Sequence, residues 1–246
     1  MGLDRFSKLV HQEYGHFPNF GLVFIIDRLV ERLQMLHYNL RVAHLDVKPA
    51  NILIRRGKVT LADFGVCQVM NPSDDRNSNK AGAGTAAYFP QETWRDQADA
   101  GDNNSATTCR TLGITSVDST TTSRKLKLPE YQYMEQHDIY CLGRTLLDLI
   151  NNKIPGLVDE FIDDDKLDHY SDEVKKMING MLQLEPEKRP TLAALKAENK
   201  KIYNNNEQNK GYLTKQKLAE INISDYFNKN QQDFITDFDK HDMATL

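Results

Sequence analysis

Four side chains capable of joint chemistry fall within twenty residues of one another. Asp46, Lys48 and Asn51 sit in the stretch His44–Ile54, HLDVKPANILI, and Asp63 follows in LADFG, two residues before Gly65. These types suit phosphoryl transfer. An attacking hydroxyl needs a carboxylate to take its proton, the moving phosphoryl group needs a cation, and magnesium takes hard oxygen ligands such as a carboxylate and an amide carbonyl.

Such groups need elements to hold them. Leu3, Phe6, Leu9 and Val10 recur at helical spacing between Gly2 and Tyr14, and Pro18 punctuates the break that follows. From Leu22 through Ile25, Ile26, Leu29, Val30, Leu33 and Leu36 to Leu40, apolar residues return every three or four positions, predicting a helix with one broad buried stripe. That helix delivers the chain to His44. His37 on it reads as a packed or surface histidine and not as a ligand. Asn51–Ile54 and Val59–Ala62 read as short strands around the turn Arg55-Arg56-Gly57-Lys58, a hairpin with the two acid-bearing loops at its ends.

Composition narrows the class. The 246 residues, 39% hydrophobic and 27% charged, suit an ordinary globular chain able to bury a sizeable core. A formal net charge of −4 without a basic cluster gives no case for nucleic acid or an anionic membrane as partner. The longest apolar run, Leu22 to Ile26, is far too short to span a bilayer, and the chain does not open as a signal peptide does, so the default setting is cytoplasmic. Met1-Gly2 has no hydroxyl residue at position 6, which discounts a myristoylation signal. Cys67, Cys109 and Cys141 are too few and scattered for a disulfide framework, and neither they nor the seven histidines show zinc spacing.

The catalytic stretch HLDVKPAN and DFG, in this order and joined by a short hairpin, resemble the eukaryotic-type serine/threonine protein kinases, whose loops read H-R-D-x-x-x-x-N and D-F-G. The resemblance implies a mainly α fold: the C-terminal lobe of that family, a helical bundle with a small β hairpin carrying both loops. It implies that Asp46 orients or deprotonates a Ser or Thr hydroxyl of a protein substrate and that Lys48 neutralises charge on the transferred γ-phosphoryl of ATP. Asn51 and Asp63 would hold Mg2+ with ATP, while His44 and Gly65 are structural. Lysine at position 48 is similar to the serine/threonine branch. Leu45 stands where the family usually has the arginine that receives an activation-loop phosphate, so activity is expected not to depend on phosphorylation of that loop.

Further elements follow in family order. Gly65 to Gly84 has the composition of a mobile loop and resembles the family's activation segment, and within it Gly82 and Gly84 form a GxG best read as flexible loop. GTAAYFPQE resembles the substrate-positioning loop, with Thr85 contacting the catalytic Asp and Lys, and Glu92 aligned to the family's ion-pairing glutamate. Residues 95–127, rich in Asp, Asn, Ser and Thr, read as a low-complexity insertion whose cluster Ser119 to Ser123 is a solvated spacer or a phosphorylation site. Order returns at HDIYCLGRTLLDLI, where Asp138 resembles the buried aspartate that holds the catalytic loop's backbone. After a solvated acidic turn, Asp163 to Asp165, Val174–Leu184 is an amphipathic helix, and LEPEKRPTL resembles the family's closing element, with Arg189 paired to Glu92.

The implied domain plan is a kinase-like lobe over residues 1–196 and a polar linker with a helical extension over 197–246. A complete kinase also carries a Gly-rich loop, a strand lysine and a helix glutamate. None can be placed here, since Lys8 alone precedes Lys48 and lies on a helical pattern. Two classes of function therefore stand: a catalytic lobe whose N-lobe comes from elsewhere or from a regulatory partner protein, and a catalytically impaired pseudokinase or kinase-derived binding module. A small-molecule kinase of related fold is disfavoured by Lys48, DFG and the Arg189 element together.

Overall fold

The computed structural model describes residues 1–55, 58–70, 84–90, 130–152 and 169–208. The fold is mainly helical, with four short strands among the described residues. Helix α1, Leu3–Tyr14, ends where Gly15 turns left-handed at φ 74° and returns its N–H to the His11 carbonyl. Helix α2, Asn19–Gln34, begins after Pro18 and buries Leu22, Ile25, Ile26, Leu29, Val30 and Leu33 completely or nearly so, each such side chain contributing about 1.5 to 3 kcal/mol. The stripe predicted to run as one α-helix to Leu40 instead closes in a π-helical turn, Met35–Leu40, and Arg41 at φ 55° ends it.

Strand β1, Val42–Ala43, leads into the catalytic stretch. Strands β2, Ile52–Arg55, and β3, Lys58–Leu61, form the antiparallel hairpin, with Ile52 opposite Leu61 and Ile54 opposite Val59. The start of the chain adds to its other edge: Gly2 bridges Leu53, and the Ile54 amide donates to the Met1 carbonyl at 2.8 Å. Strand β4, Gln68–Val69, pairs back onto β1, so the segment after DFG is tied to the strand before the catalytic loop.

Helix α3, Glu130–Asn151, begins well ahead of His137, and buries Ile139, Leu142, Leu146, Leu149 and Ile150. Gly143 lies on it where a Cβ would come within 2.9 Å of the Met181 side chain, so a glycine permits α3 to meet α4, Asp172–Met181, at close range. Ser171 caps α4 through the Val174 amide. Helix α5, Leu192–Gln208, runs unbroken across Ala197, where the composition turns polar. It packs along α2, with Ile202 in the core, Asn199 donating to the Val23 carbonyl at 3.1 Å, and Lys196 bridging Asp27 and Glu31. Glu92, the proposed insertion 95–127, the acidic turn and residues 209–246 lie outside the described residues.

The described buried apolar residues form one main cluster drawn from the five described α-helices and the hairpin, and a small second one of Ala43, Leu45 and Met70 with Val66 and Met134 against it. The catalytic stretch crosses between them. Leu45 belongs to the small cluster and Val47 to the large one, so Asp46 sits between two packed anchors.

Candidate active site

Asp46 is the point of convergence. Its Oδ2 accepts from Lys48 Nζ at 2.7 Å and from Asn51 Nδ2 at 2.8 Å, and its Oδ1 accepts from the Thr85 amide at 2.8 Å. Lys48 Nζ also donates to Thr85 Oγ1 at 2.5 Å, closing a ring of contacts between the catalytic stretch and GTAAYFPQE. Burial pushes the Asp46 carboxyl up. The hydrogen bonds from Lys48 and Thr85, the Lys48 charge and the Asn51 amide outweigh burial and hold it below the usual carboxylate range, so it is ionised at neutral pH.

Local turns set these positions. The 3-10 turn Pro49–Asn51 carries Asn51 back over the Asp46 carbonyl, which its Nδ2 reaches at 3.0 Å. The Ala62 amide donates to the Asn51 carbonyl at 2.8 Å, so DFG leaves the hairpin beside Asn51. His44 is buried and spans the same gap: its Nδ1 accepts from the Asp46 amide at 3.3 Å while its Nε2 donates to the Ala62 carbonyl at 3.1 Å, and its ring lies 5.2 Å from that of Phe64. Asp63 stands at φ 60° and is exposed; its Oδ1 accepts from the Gly65 amide at 3.3 Å. Asp46 and Asp63 both act, after burial and Asp138, to push the Cys67 thiol up to about 11, which leaves that cysteine protonated.

Behind the loop, fully buried Asp138 accepts from two successive amides, His44 to Oδ2 and Leu45 to Oδ1, each at 2.7 Å, and from His37 Nε2 at 2.8 Å. Arg189, also buried, donates to the carbonyls of Gln183, Gln136 and Leu184 and lies over the Tyr140 ring. Its expected partner Glu92 is outside the described residues.

The donor types at Asn51 and Asp63, an amide oxygen and a carboxylate, are ones that magnesium takes. With Nδ2 of Asn51 turned onto Asp46, Oδ1 has no partner among the described residues, and Asp63 presents a carboxylate one residue past Ala62. No cluster of three or more His, Cys, Asp and Glu that could hold a metal occurs among the described residues. No described helix is long and apolar enough to cross a membrane.

Three features at the site carry no simple sequence signal. Gly84 stands at φ 134°, and a Cβ there would come within 2.7 Å of the Leu45 carbonyl and 2.9 Å of the Phe89 ring. Tyr88 is buried and donates to Asp148 Oδ2 at 2.5 Å, tying the Gly84–Pro90 loop to α3. His37 is wholly buried, and its position is explained by Asp138, 101 residues away. The GxG around Gly84 reads only as flexible loop, and the other two pairings are long-range and invisible to local pattern.

A family model described as "Protein kinase domain" matches residues 2–201. The chain is similar to the mitogen-activated protein kinase kinase kinase YODA of Arabidopsis thaliana, 29% identical over 75% of this chain and 18% of that protein. It is 29% identical to the serine/threonine-protein kinase dkf-2 of Caenorhabditis briggsae over 38% of this chain and 8% of that one. With the mitogen-activated protein kinase kinase 1 of Arabidopsis thaliana it shares 32% identity over 33% of this chain and 23% of the relative. The matches thus cover less than a quarter of each of these relatives.

Proposed function

This chain belongs to the protein kinase family, and from that premise we propose that it is the lobe of a serine/threonine kinase that performs transfer of the ATP γ-phosphoryl group to a protein hydroxyl. The observation that carries the reading is the ring Asp46, Lys48, Thr85 and Asn51: one ionised carboxylate facing an ammonium and the loop that would present the acceptor. Asp46 orients the acceptor hydroxyl and is the group nearest to take its proton. Lys48 holds Thr85 and Asp46 together and lies where negative charge on the transferred group needs a cation. Asn51 Oδ1 and the Asp63 carboxylate would hold Mg2+, which would supply positive charge against the phosphate oxygens. The Gly-rich loop and strand lysine that complete a nucleotide site would come from a segment outside this sequence or from a second protein, which is then the regulatory partner.

Binding of ATP with and without Mg2+, and transfer to Ser- and Thr-containing peptides, tests this in the full chain, alone and with any adjacent coding sequence supplied. Asp63→Asn is expected to abolish the magnesium-dependent part of binding, and Asp46→Asn to keep binding while losing about 10²- to 10⁴-fold in kcat. Persistent activity in Asp63→Asn removes that residue from the metal site. A chain that binds no nucleotide in any of these conditions is a kinase-derived binding module.

A further inference from the structure

Two histidines that the proposed reaction does not use face each other where the turn between α1 and α2 meets the segment ahead of α4. His16 stacks on His169, with ring centroids 4.2 Å apart and planes within 10° of parallel. Beside them the buried Tyr170 hydroxyl donates to the Phe17 carbonyl at 2.8 Å, and the Ser171 amide donates to Asn19 Oδ1 at 3.3 Å. Ser171 is also the cap of α4, so this seam joins one helix connection to the start of another.

Only the two rings in the seam can change charge near neutral pH. Burial pushes the Tyr170 hydroxyl up to about 12, so it stays a donor. An imidazole ordinarily takes a proton near pH 6.5, and two imidazolium ions at this separation repel. His16 is half-buried and His169 exposed. Among the described residues, the charges acting on His16 are those of His169 and, from α1, His11, both of them bases. His11 holds the Leu149 carbonyl of α3 through Nε2 at 2.6 Å. On α4, Asp172 is paired with Lys175 and Glu173 is exposed. The first charged residue of α2 is Asp27, taken by Arg28 and Lys196, and Glu198 of α5 holds Lys201. No carboxylate in this set offsets a second proton on the stack. Burial, and then the His169 charge, hold the His16 imidazole below its ordinary range against the Tyr14 backbone, which favours the charged form. A histidine depressed in this way contributes stability above about pH 6.5 that is lost as pH falls through its folded value.

We infer that the His16–His169 stack is an acid-operated clasp: closed at neutral pH, it holds the α1–α2 turn against the head of α4, and it releases that seam when both rings are charged. The clasp is independent of the roles given to Asp46 and Asp63.

Two measurements on the full 246-residue chain test it. Proton NMR of the ring Cε1–H groups between about pH 8 and 5 is expected to show His16 and His169 titrating in two separate steps, as interacting sites do. Amide hydrogen exchange, corrected for the intrinsic effect of pH, is expected to show protection at Ser171 and Leu22 falling more than about tenfold between pH 7.5 and 5.5, while Leu146 in α3 keeps its protection. In the double variant His16→Phe with His169→Phe, which keeps two stacked rings that cannot ionise, protection at Ser171 and Leu22 is expected to be the same at both pH values.

Protection at Ser171 that does not change with pH in wild type overturns the inference, as does a loss shared equally by Leu146, which would be global acid unfolding. A loss that persists in the double Phe variant assigns the sensitivity to another group. The ring titration needs no variant, and a single common step for both histidines overturns the clasp even where the double variant does not fold.

Discussion

Three carboxylates close to the loop illustrate how surroundings divide one functional group into separate tasks. Asp46 and Asp138 are held below the ordinary range by donors on several sides, whereas Asp148 is pushed up to about 6, first by burial, with Tyr88 and Arg144 only partly opposing it. Burial, and then the Asp148 charge, push the Tyr88 hydroxyl far above its own range, so tyrosine remains the donor in that pair. For an acid with a raised folded value, the native state binds the extra proton between the unfolded value near 4 and the folded value near 6. Stability therefore falls as pH rises through that window, by at most about 3 kcal/mol at 1.36 kcal/mol per unit. Asp148→Asn, which still accepts from Tyr88, is expected to flatten the slope between about pH 4 and 6 and to equal or exceed wild type at pH 7.5. Urea unfolding at pH 5, 6 and 7.5 checks this; an unchanged slope removes Asp148 as its source. Asp138 behaves oppositely. Its depressed value contributes stability above the unfolded value near 4 that is lost as pH falls through the folded one, and Asp138→Ala, which strands two buried amides and His37, is expected to cost more than about 3 kcal/mol at pH 7. A urea midpoint within error of wild type would show those amides to be satisfied otherwise.

Among the elements, the short ones matter most to the chemistry. Loop Gly84–Pro90 reaches Asp46 through Thr85 because Gly84 lies almost against the Leu45 carbonyl. Gly84→Ala puts a methyl 2.7 Å from that oxygen, in a left-handed conformation alanine resists. It is expected to lower kcat by about 100-fold, through displacement of Thr85, while shifting the melting temperature only a few degrees; kcat and thermal unfolding measured on the same sample separate the two effects. At the other end of that segment, β4 pairs with β1 beside a small apolar cluster. Leu45 packs with Ala43 and Met70, and the Met70 amide donates to the Arg41 carbonyl at 2.7 Å. An apolar side chain offers a phosphate nothing to bind, so phosphatase treatment is expected to leave activity unchanged, and a loss on dephosphorylation would mean another cation serves the loop. The sequence made the hairpin, α1 and most of α2 legible because period and turn residues are local signals. It hid the π turn, since Met35–Leu40 contains no Gly or Pro to announce a change of winding, and it hid the first turns of α3, whose residues Tyr131 to Gln136 have the polar look of the segment before them. The site was legible as a set of residue types. The contacts of Asp138 with His37 and of Asp148 with Tyr88, 101 and 60 residues apart, arise only from packing.

At the scale of the whole molecule, the loop is suspended between a large core that gives stability and a small cluster that places one segment. The two share no member. Leu29, fully buried in α2, belongs to the large one, and Leu29→Ala is expected to cost about 2 to 5 kcal/mol, a substantial part of the 5 to 15 kcal/mol typical of a domain. Because Leu29 lies in helix α2 and in neither acid-bearing loop, kcat measured well below the new melting temperature should match wild type. Met70→Ala removes a buried side chain from a cluster with few members, so its cost in stability lies toward the low end of that range. Its cost in activity should be larger, since Met70 shares its cluster with Leu45, the residue immediately before Asp46. The double variant is expected to show stability losses additive to within about 0.5 kcal/mol, as for sites that share no contacts. Denaturant unfolding of the four proteins, with kcat at one permissive temperature, tests the division. Coupling well beyond that margin, or a kcat that falls as far in Leu29→Ala as in Met70→Ala, would mean that the two clusters act as one core and that catalytic geometry follows global stability.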